Sequence, residues 1–186
     1  MELLHAPVRL PLNAEEMLLR IIWLVGAAMI LVVSGGIAVA DGPVDPAAVK
    51  SEDGKYFDKE GNPTYKVAAD GTVDWYTYSG YRRYHSECHV CHGPDGMGSS
   101  YAPALANSLK TMSYEDFMGV VASGRTNGNS VMPALGDNPN VACYMDDFYV
   151  YLRARANDAV GRVRPAKHED KPAAYTETEN SCMGNR

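Results

Sequence analysis

The sequence predicts a small all-α domain, with a short β-hairpin extension ahead of it and a tail tethered by a disulfide behind it. Three observations carry this expectation. Apolar residues recur at helical spacing in three segments between residues 75 and 156. Short runs that favour β structure stand ahead of Trp75, within residues 41–74. Residues 157–186 are polar, proline-bearing and poor in apolar side chains, yet they hold a cysteine, Cys182, near their end.

The chain opens with an export signal. Residues 21–33, IIWLVGAAMILVV, are apolar and uncharged, with Arg20 before them and Ser34-Gly35-Gly36 after. Ala38-Val39-Ala40 then supplies a small-x-small site ahead of Asp41. A positive flank, a short apolar core and such a site predict a secretory signal over residues 1–40, cut before Asp41. Met17 would open a tidier signal and is the expected translation start. An uncleaved anchor is the alternative, but a spanning helix needs about 20 apolar residues and this run weakens at Ser34. Cleavage would leave 146 of the 186 residues in the periplasm, enough for one domain. That domain is expected to be a monomer with no stable membrane insertion.

Residues 41–74 make the extension. Tyr56-Phe57 and Thr64 to Val67 favour strands and are separated by the turn sequence DKEGNP, which predicts a small hairpin. Asp58, Glu60 and Asn62 alternate as in a calcium loop, but no downstream glutamate completes the pattern, so they are expected to form a solvated turn. The helical domain, residues 75–156, begins near Trp75. Gly80, Tyr84 and Cys88 follow at intervals of four and so share one helix face. A glycine there lets another helix come close. Ser113 and Asp116 stand in capping-box spacing, ahead of an apolar stripe of Phe117, Val120 and Val121 that ends at Gly124, a plausible C-cap. Met145, Phe148, Tyr149 and Leu152 give the last segment its helical period. Cys143 lies at the start of that segment.

The chemistry centres on Cys88-His89-Val90-Cys91-His92. A thioredoxin-like redox pair wants a βαβ context, and no such alternation is present. A zinc site wants about four ligands at workable spacing, whereas Cys143 and Cys182 have no close partners. C-x-x-C-H is the attachment pattern of c-type haem. Each sulfur would add across a vinyl group, and the histidine on the same turn would bind the iron. Behind an export signal, this is the expected reading, with Cys88 and Cys91 attaching one haem c and His92 ligating its iron.

Gly80, Tyr84, the CHVCH run, Pro103, the NSVMPALG run and the aromatic last helix together resemble a class I c-type cytochrome, over roughly residues 75–156. The resemblance implies a cytochrome c fold in which three main helices surround one covalently bound haem, the first and last helices crossing near Gly80. It also implies that the Pro103 carbonyl accepts the hydrogen on the other nitrogen of His92, which would fix the tautomer.

Six methionines remain after signal removal: 97, 112, 118, 132, 145 and 183. Met118 and Met145 fall at helical core spacing, Met97 lies five residues past His92, and Met183 adjoins Cys182. Met132 sits in an irregular Gly/Asn-rich loop, stiffened by Pro133, where the resemblance expects the second iron ligand. His85 and His168 are its competitors. A His/Met pair favours Fe(II) relative to two histidines and leaves no open position, so an electron-transfer protein is expected rather than an enzyme. A haem enzyme or gas sensor would require Met132 to be off the iron. Arg125, beside the methionine loop, is a candidate partner for a haem propionate.

The remaining cysteines, Cys143 and Cys182, face an oxidising compartment. A disulfide between them is expected to staple onto the domain a tail (residues 157–186) that would be disordered alone. The net charge of −6 argues against nucleic acid. It is uneven, with 8 basic against 15 acidic residues over 41–147 and 6 against 3 over 148–171. Such polarity could orient the protein on a redox partner.

The long run from Asp53 to Leu105, the block from Val131 to Ala156 and the added cysteine pair are similar to the four-cysteine cytochromes of methanol metabolism in methylotrophic and related bacteria. That resemblance implies that electrons arrive from a PQQ-dependent methanol dehydrogenase of the lanthanide type. They would leave to another cytochrome or a terminal oxidase. A general periplasmic carrier for a different dehydrogenase or reductase is the alternative, as is a membrane-tethered subunit if the signal stays uncleaved.

Overall fold

The computed structural model describes residues 46–184. The export signal, the translation start at Met17 and the cleavage site after Ala40 lie outside these residues. Three short strands come first: β1 (Lys50–Glu52), β2 (Lys55–Phe57) and β3 (Pro63–Thr64). They pair antiparallel in the order β1-β2-β3, with Lys50 opposite Phe57 and Tyr56 opposite Thr64. The turn between β2 and β3 departs from the solvated loop expected of it. Asp58 is buried, and its carboxylate accepts hydrogen bonds from the backbone N–H groups of Glu60 (3.0 Å) and Asn62 (2.8 Å). An aspartate that satisfies two donors of its own turn locks the turn instead of solvating it.

Helix α1 (Trp75–Glu87) starts at a buried cap. Asp74 accepts from Thr77 N (2.9 Å) and Thr77 Oγ1 (2.6 Å), and also from Lys66 N (2.8 Å), so one carboxylate ties the extension to the helix start. A single turn, α2 (His89–His92), follows, then α3 (Leu105–Ser108) and α4 (Tyr114–Ser123). At the start of α4, Ser113 accepts from Asp116 N and donates to Asp116 Oδ2 (2.8 Å), and Gly124 closes the helix. The chain then runs through β4 (Arg125–Asn127), β5 (Ser130–Met132), α5 (Pro139–Ala142), α6 (Met145–Ala156) and α7 (Ala173–Met183).

The core is the crossing of α1 and α6, with α3, α4 and β3 also packed on α6. A Cβ on Gly80 would lie 2.0 Å from the Asp147 carbonyl oxygen and 2.6 Å from Tyr151 Cβ. Only glycine permits this approach. From Asp147 to Ala156 every residue of α6 is buried, so it is not the one-sided helix its apolar spacing suggests. Phe148, Tyr149, Tyr151 and Leu152 fill the core, each buried large side chain being worth roughly 1.5–3 kcal/mol. The two arginines of α6 are satisfied by backbone carbonyls. Arg153 donates to the Leu109 carbonyl, and Arg155 to those of Asp95 (3.2 Å) and Val160 (2.7 Å).

Cys143 and Cys182 form a disulfide, with their Cα atoms 5.7 Å apart. Cys143 caps the short helix α5 rather than opening α6. The tail is more ordered than its composition suggests, because α7 has specific anchors. Tyr175 is buried, donating to Asp147 Oδ2 at 2.5 Å and bonding Ser79 Oγ at 2.8 Å. Glu179 meets Arg83 (3.1 Å), Lys171 and the Tyr144 hydroxyl (2.8 Å). Among the described residues, no helix is long and apolar enough to cross a membrane.

Candidate functional site

The site is assembled from α2 and the two segments that follow it. Cys88 ends α1, and its N–H bonds the Tyr84 carbonyl at 2.9 Å. Cys91 and His92 return to the Cys88 carbonyl (3.3 and 3.0 Å), which winds both cysteines and the histidine onto one turn. Tyr84, fully buried, donates to the Gly93 carbonyl and fixes where the chain leaves that turn. Ser99 Oγ donates to the Cys91 carbonyl, and Gly98 N to that of His92 (2.9 Å). These bonds fold residues 93–104 back over the turn and bring Pro103 to His92.

His92 is buried, and its Nδ1 lies 2.9 Å from the Pro103 carbonyl oxygen. A carbonyl can only accept, so Nδ1 carries the hydrogen and Nε2 keeps its lone pair free for a metal. Cys88 and Cys91 are not joined to each other. Burial pushes the Cys88 thiol up to about 12, with Glu87 and Cys91 adding to the shift. A redox cysteine pair works through a lowered thiol, so this environment speaks against thioredoxin-like chemistry. Among the described residues, no group of three or more histidine, cysteine or acidic side chains is arranged to hold a metal ion. The zinc reading therefore finds no ligand set.

Met132 ends the β4–β5 hairpin, which replaces the irregular loop expected there. Arg125 faces Met132, Thr126 faces Val131, and Asn127 faces Ser130, with Gly128-Asn129 as the turn. Gly124 makes the close fit behind it possible. It has φ +75°, and a Cβ there would lie 2.6 Å from the Met132 carbonyl oxygen. Met132 is partly buried and packs against the core, as does Leu135. Met145 is buried within α6, Met183 sits at the disulfide end of α7, and Met97 is exposed. His168 stacks on Tyr78 with ring centroids 3.8 Å apart. His85 directs Nδ1 at the Tyr81 carbonyl (2.8 Å) and lies over the Tyr81 ring. Both competing histidines thus have partners away from the Pro103 loop. Arg125 takes part in none of the ion pairs among the described residues.

These features fit a haem. Two unpaired thiols share a turn with a histidine whose tautomer is set for ligation. Cys88, Leu105, Met112, Met118, Met132 and Leu135 are among the half-covered apolar side chains packed against the core. Sequence reading missed the buried polar set Asp74, Asp147, Ser79 and Tyr175. Its only signal was an acidic residue, Asp147, in a segment otherwise patterned for the core.

A family model described as cytochrome c oxidase, cbb3-type, subunit III, matches residues 77–146. Cytochrome c-553I of Paracoccus denitrificans is 56% identical over 136 residues, covering 71% of this chain and 60% of that protein. The chain thus spans about three fifths of that relative's length. Cytochrome c-555 of Methylococcus capsulatus is 39% identical over 106 residues, covering 56% of this chain and 80% of that protein. The crystal structure of the c-type cytochrome XoxG from Methylobacterium extorquens AM1 superposes with a TM-score of 0.72 at 63% identity, covering 74% of this chain and 86% of that one. With its Cys-x-x-Cys-His turn, its fold and these relatives, the chain belongs to the class I c-type cytochromes, electron-transfer proteins that carry covalently bound haem c.

Proposed function

We propose that this chain is a periplasmic, monohaem one-electron carrier, reduced by a PQQ-dependent methanol dehydrogenase and oxidised by another cytochrome or a terminal oxidase. In this reading Cys88 and Cys91 attach the haem, His92 and Met132 ligate its iron, and the three long helices of residues 75–156 surround it. The observation that carries it is the 2.9 Å contact between His92 Nδ1 and the Pro103 carbonyl, on the same turn as two free thiols. Haem c supplies a one-electron couple, whose potential a His/Met pair raises above that of two histidines.

The protein's own residues do the rest. Pro103 holds the His92 ring and raises its basicity. Gly124 and Pro133 restrict the hairpin end that presents Met132. With His92 and Met132 both holding the iron, oxygen and peroxide would find no open site, which would suit a carrier and not an oxidase. A carrier of single electrons matches a donor whose quinol holds two and must empty in separate steps. The donor's identity rests on the resemblance to the four-cysteine cytochromes of methanol metabolism.

Two measurements test the reading. The oxidised protein should show a methionine–iron charge-transfer band in the near infrared, lost in Met132→Ala along with a fall in potential and a gain of carbon monoxide binding. An unchanged Met132→Ala spectrum would remove Met132 from the iron. The oxidised protein should also be reduced by purified methanol dehydrogenase with methanol. Reduction no faster than that of an unrelated periplasmic cytochrome would leave a general carrier.

A further inference from the structure

His85 and His89 lie four residues apart, on either side of the Cys88 junction between α1 and α2. Cys88 keeps right-handed helical torsion angles (φ −114°, ψ −30°), so the chain passes from one helix to the next almost without a break. Residues four apart share a helix face, the spacing at which two histidines can grip one metal ion. The two rings are neighbours, with centroids 5.8 Å apart and planes within 18° of parallel. An ion bound about 2.0–2.1 Å from one nitrogen of each ring can span that distance.

The rings are prepared in different ways. His85 Nδ1 lies 2.8 Å from the Tyr81 carbonyl oxygen, which can only accept. Nδ1 therefore carries the hydrogen, and Nε2 keeps its lone pair. Pro103 sets His92 in the same manner, and it is the usual setting of a metal-binding histidine. The Tyr81 ring also lies against that of His85, 4.2 Å between centroids, and restricts its rotation. His89 Nδ1 is shielded from solvent and has no hydrogen-bond partner. Buried polar atoms in folded proteins have partners, so this nitrogen points to a ligand. Glu87 is turned elsewhere, its carboxylate meeting Ser86 Oγ (3.2 Å) and Asn138 Nδ2 (3.5 Å). Both rings are partly covered, and Arg82, Ser86 and Val90 around them are exposed, which places the pair at the surface.

We propose that His85 and His89 form a second metal seat, separate from the haem iron, which takes one divalent ion with a preference for imidazole, copper(II) above zinc(II). The donors are His85 Nε2 and His89 Nδ1. Water completes the shell, because among the described residues no third histidine, cysteine or carboxylate joins the pair. Two imidazoles with water give the tetragonal nitrogen and oxygen set that copper(II) favours, and copper(II) heads the affinity order of the divalent first-row ions. Binding moves no electron and leaves His92 and Met132 untouched. An ion in this seat clamps the end of α1 to α2, and so strengthens the turn that carries Cys88, Cys91 and His92.

The test uses the oxidised, haem-loaded protein, titrated with Cu2+ and separately with Zn2+ by calorimetry, and copper EPR reads the ligands. The wild type should bind one Cu2+ per chain more tightly than Zn2+ and give an axial copper signal coupled to two imidazole nitrogens. It should also unfold at a higher temperature with the ion bound. H85Q and H89Q should each bind at least about tenfold more weakly, because the remaining imidazole acts alone. Each should show coupling to a single nitrogen. H168Q, which removes an exposed histidine elsewhere, should bind as the wild type does. Unchanged Cu2+ affinity in H85Q and H89Q would overturn the proposal, and so would loss of binding in H168Q. Should the variants fail to take up haem, the wild-type EPR signal decides. Coupling to two imidazole nitrogens at one ion per chain supports the seat, and coupling to one or none overturns it.

Discussion

At Gly80, a single hydrogen atom in place of a methyl group decides whether α1 and α6 can cross. Alanine is worth about 1 kcal/mol more than glycine inside a helix, so propensity alone would favour Gly80→Ala. The added Cβ, however, would meet the Asp147 carbonyl at 2.0 Å and Tyr151 Cβ at 2.6 Å, and the first of these is backbone that cannot swing aside. Overpacking costs about 1–3 kcal/mol and sometimes more, so sterics should win. Gly80→Ala is expected to destabilise the haem-loaded protein by roughly 2 kcal/mol, read as a lower denaturant midpoint. An unchanged midpoint would mean that the two helices separate freely.

Asp147 lies at the same crossing. Burial raises its carboxyl from 3.8 to about 7, with Asp146 adding a smaller push and the Ser79 and Tyr175 hydrogen bonds opposing it. A carboxyl raised on folding favours the folded state fully below its unfolded value and loses that contribution as pH rises through the folded value. Stability should therefore fall between about pH 4 and 7, by an amount on the order of 4 kcal/mol at most. Asp147→Asn keeps an acceptor for Tyr175 and removes the charge, so its unfolding free energy should be much flatter over that window. Asp74, also buried and raised mainly by desolvation, leaves part of the slope in place. Equal slopes in both proteins would show that Asp147 is not the titrating group.

At the level of elements, the tail helix depends on a few long-range ties. The Cys143–Cys182 bridge spans 39 residues, and closing such a loop in the unfolded chain is worth about 4 kcal/mol in the entropy model. Replacing both cysteines with serine should lower stability by up to that amount and expose residues 157–184 to protease, while the haem spectrum stays as it was. Equal protease resistance in the two forms would show that Tyr175 and Glu179 alone hold α7. The same segment marks what could and could not be read from the sequence. The crossing at Gly80 was implied by the resemblance to class I cytochromes. The turn of Cys88, Cys91 and His92 and the Ser113 cap were legible because each is a local pattern whose spacing carries its geometry. The order of α7 was not, since it comes from single residues, Tyr175 and Glu179, meeting partners about 30 to 100 positions away. Nor was the β4–β5 hairpin, because a Gly/Asn-rich stretch of exposed residues has no apolar alternation to announce its strands. Asp58 was misjudged for a related reason, as a turn aspartate reads as solvated until the fold above it is known.

The charge pattern along the whole molecule changes meaning once the chain is folded. The six basic residues over 148–171 would suggest a positive face. Instead Arg153 and Arg155 are buried against backbone carbonyls, and Arg164 donates to the Tyr78 hydroxyl. Arg162, Lys167 and Lys171 pair with Asp95, Asp70 and Glu179. The basic stretch is thus largely absorbed in holding the tail to the domain, and the long-range field that remains is that of an acidic protein, with a net charge of −5 over residues 41–186. Such a field steers the molecule towards a basic docking face and falls off with the Debye length, about 30 Å at 0.01 M salt and about 10 Å at 0.1 M. The second-order rate of reduction by the dehydrogenase should therefore fall as salt rises across that range and level off beyond it, once only contact geometry matters. Asp137, exposed in the segment just after the Met132 hairpin, offers a local check, since Asp137→Lys should flatten the salt dependence without changing the high-salt plateau. A rate that rises with salt would mean that the partner presents acidic groups. A rate indifferent to salt would shift the docking to apolar side chains such as Val131 and Tyr101, both largely exposed.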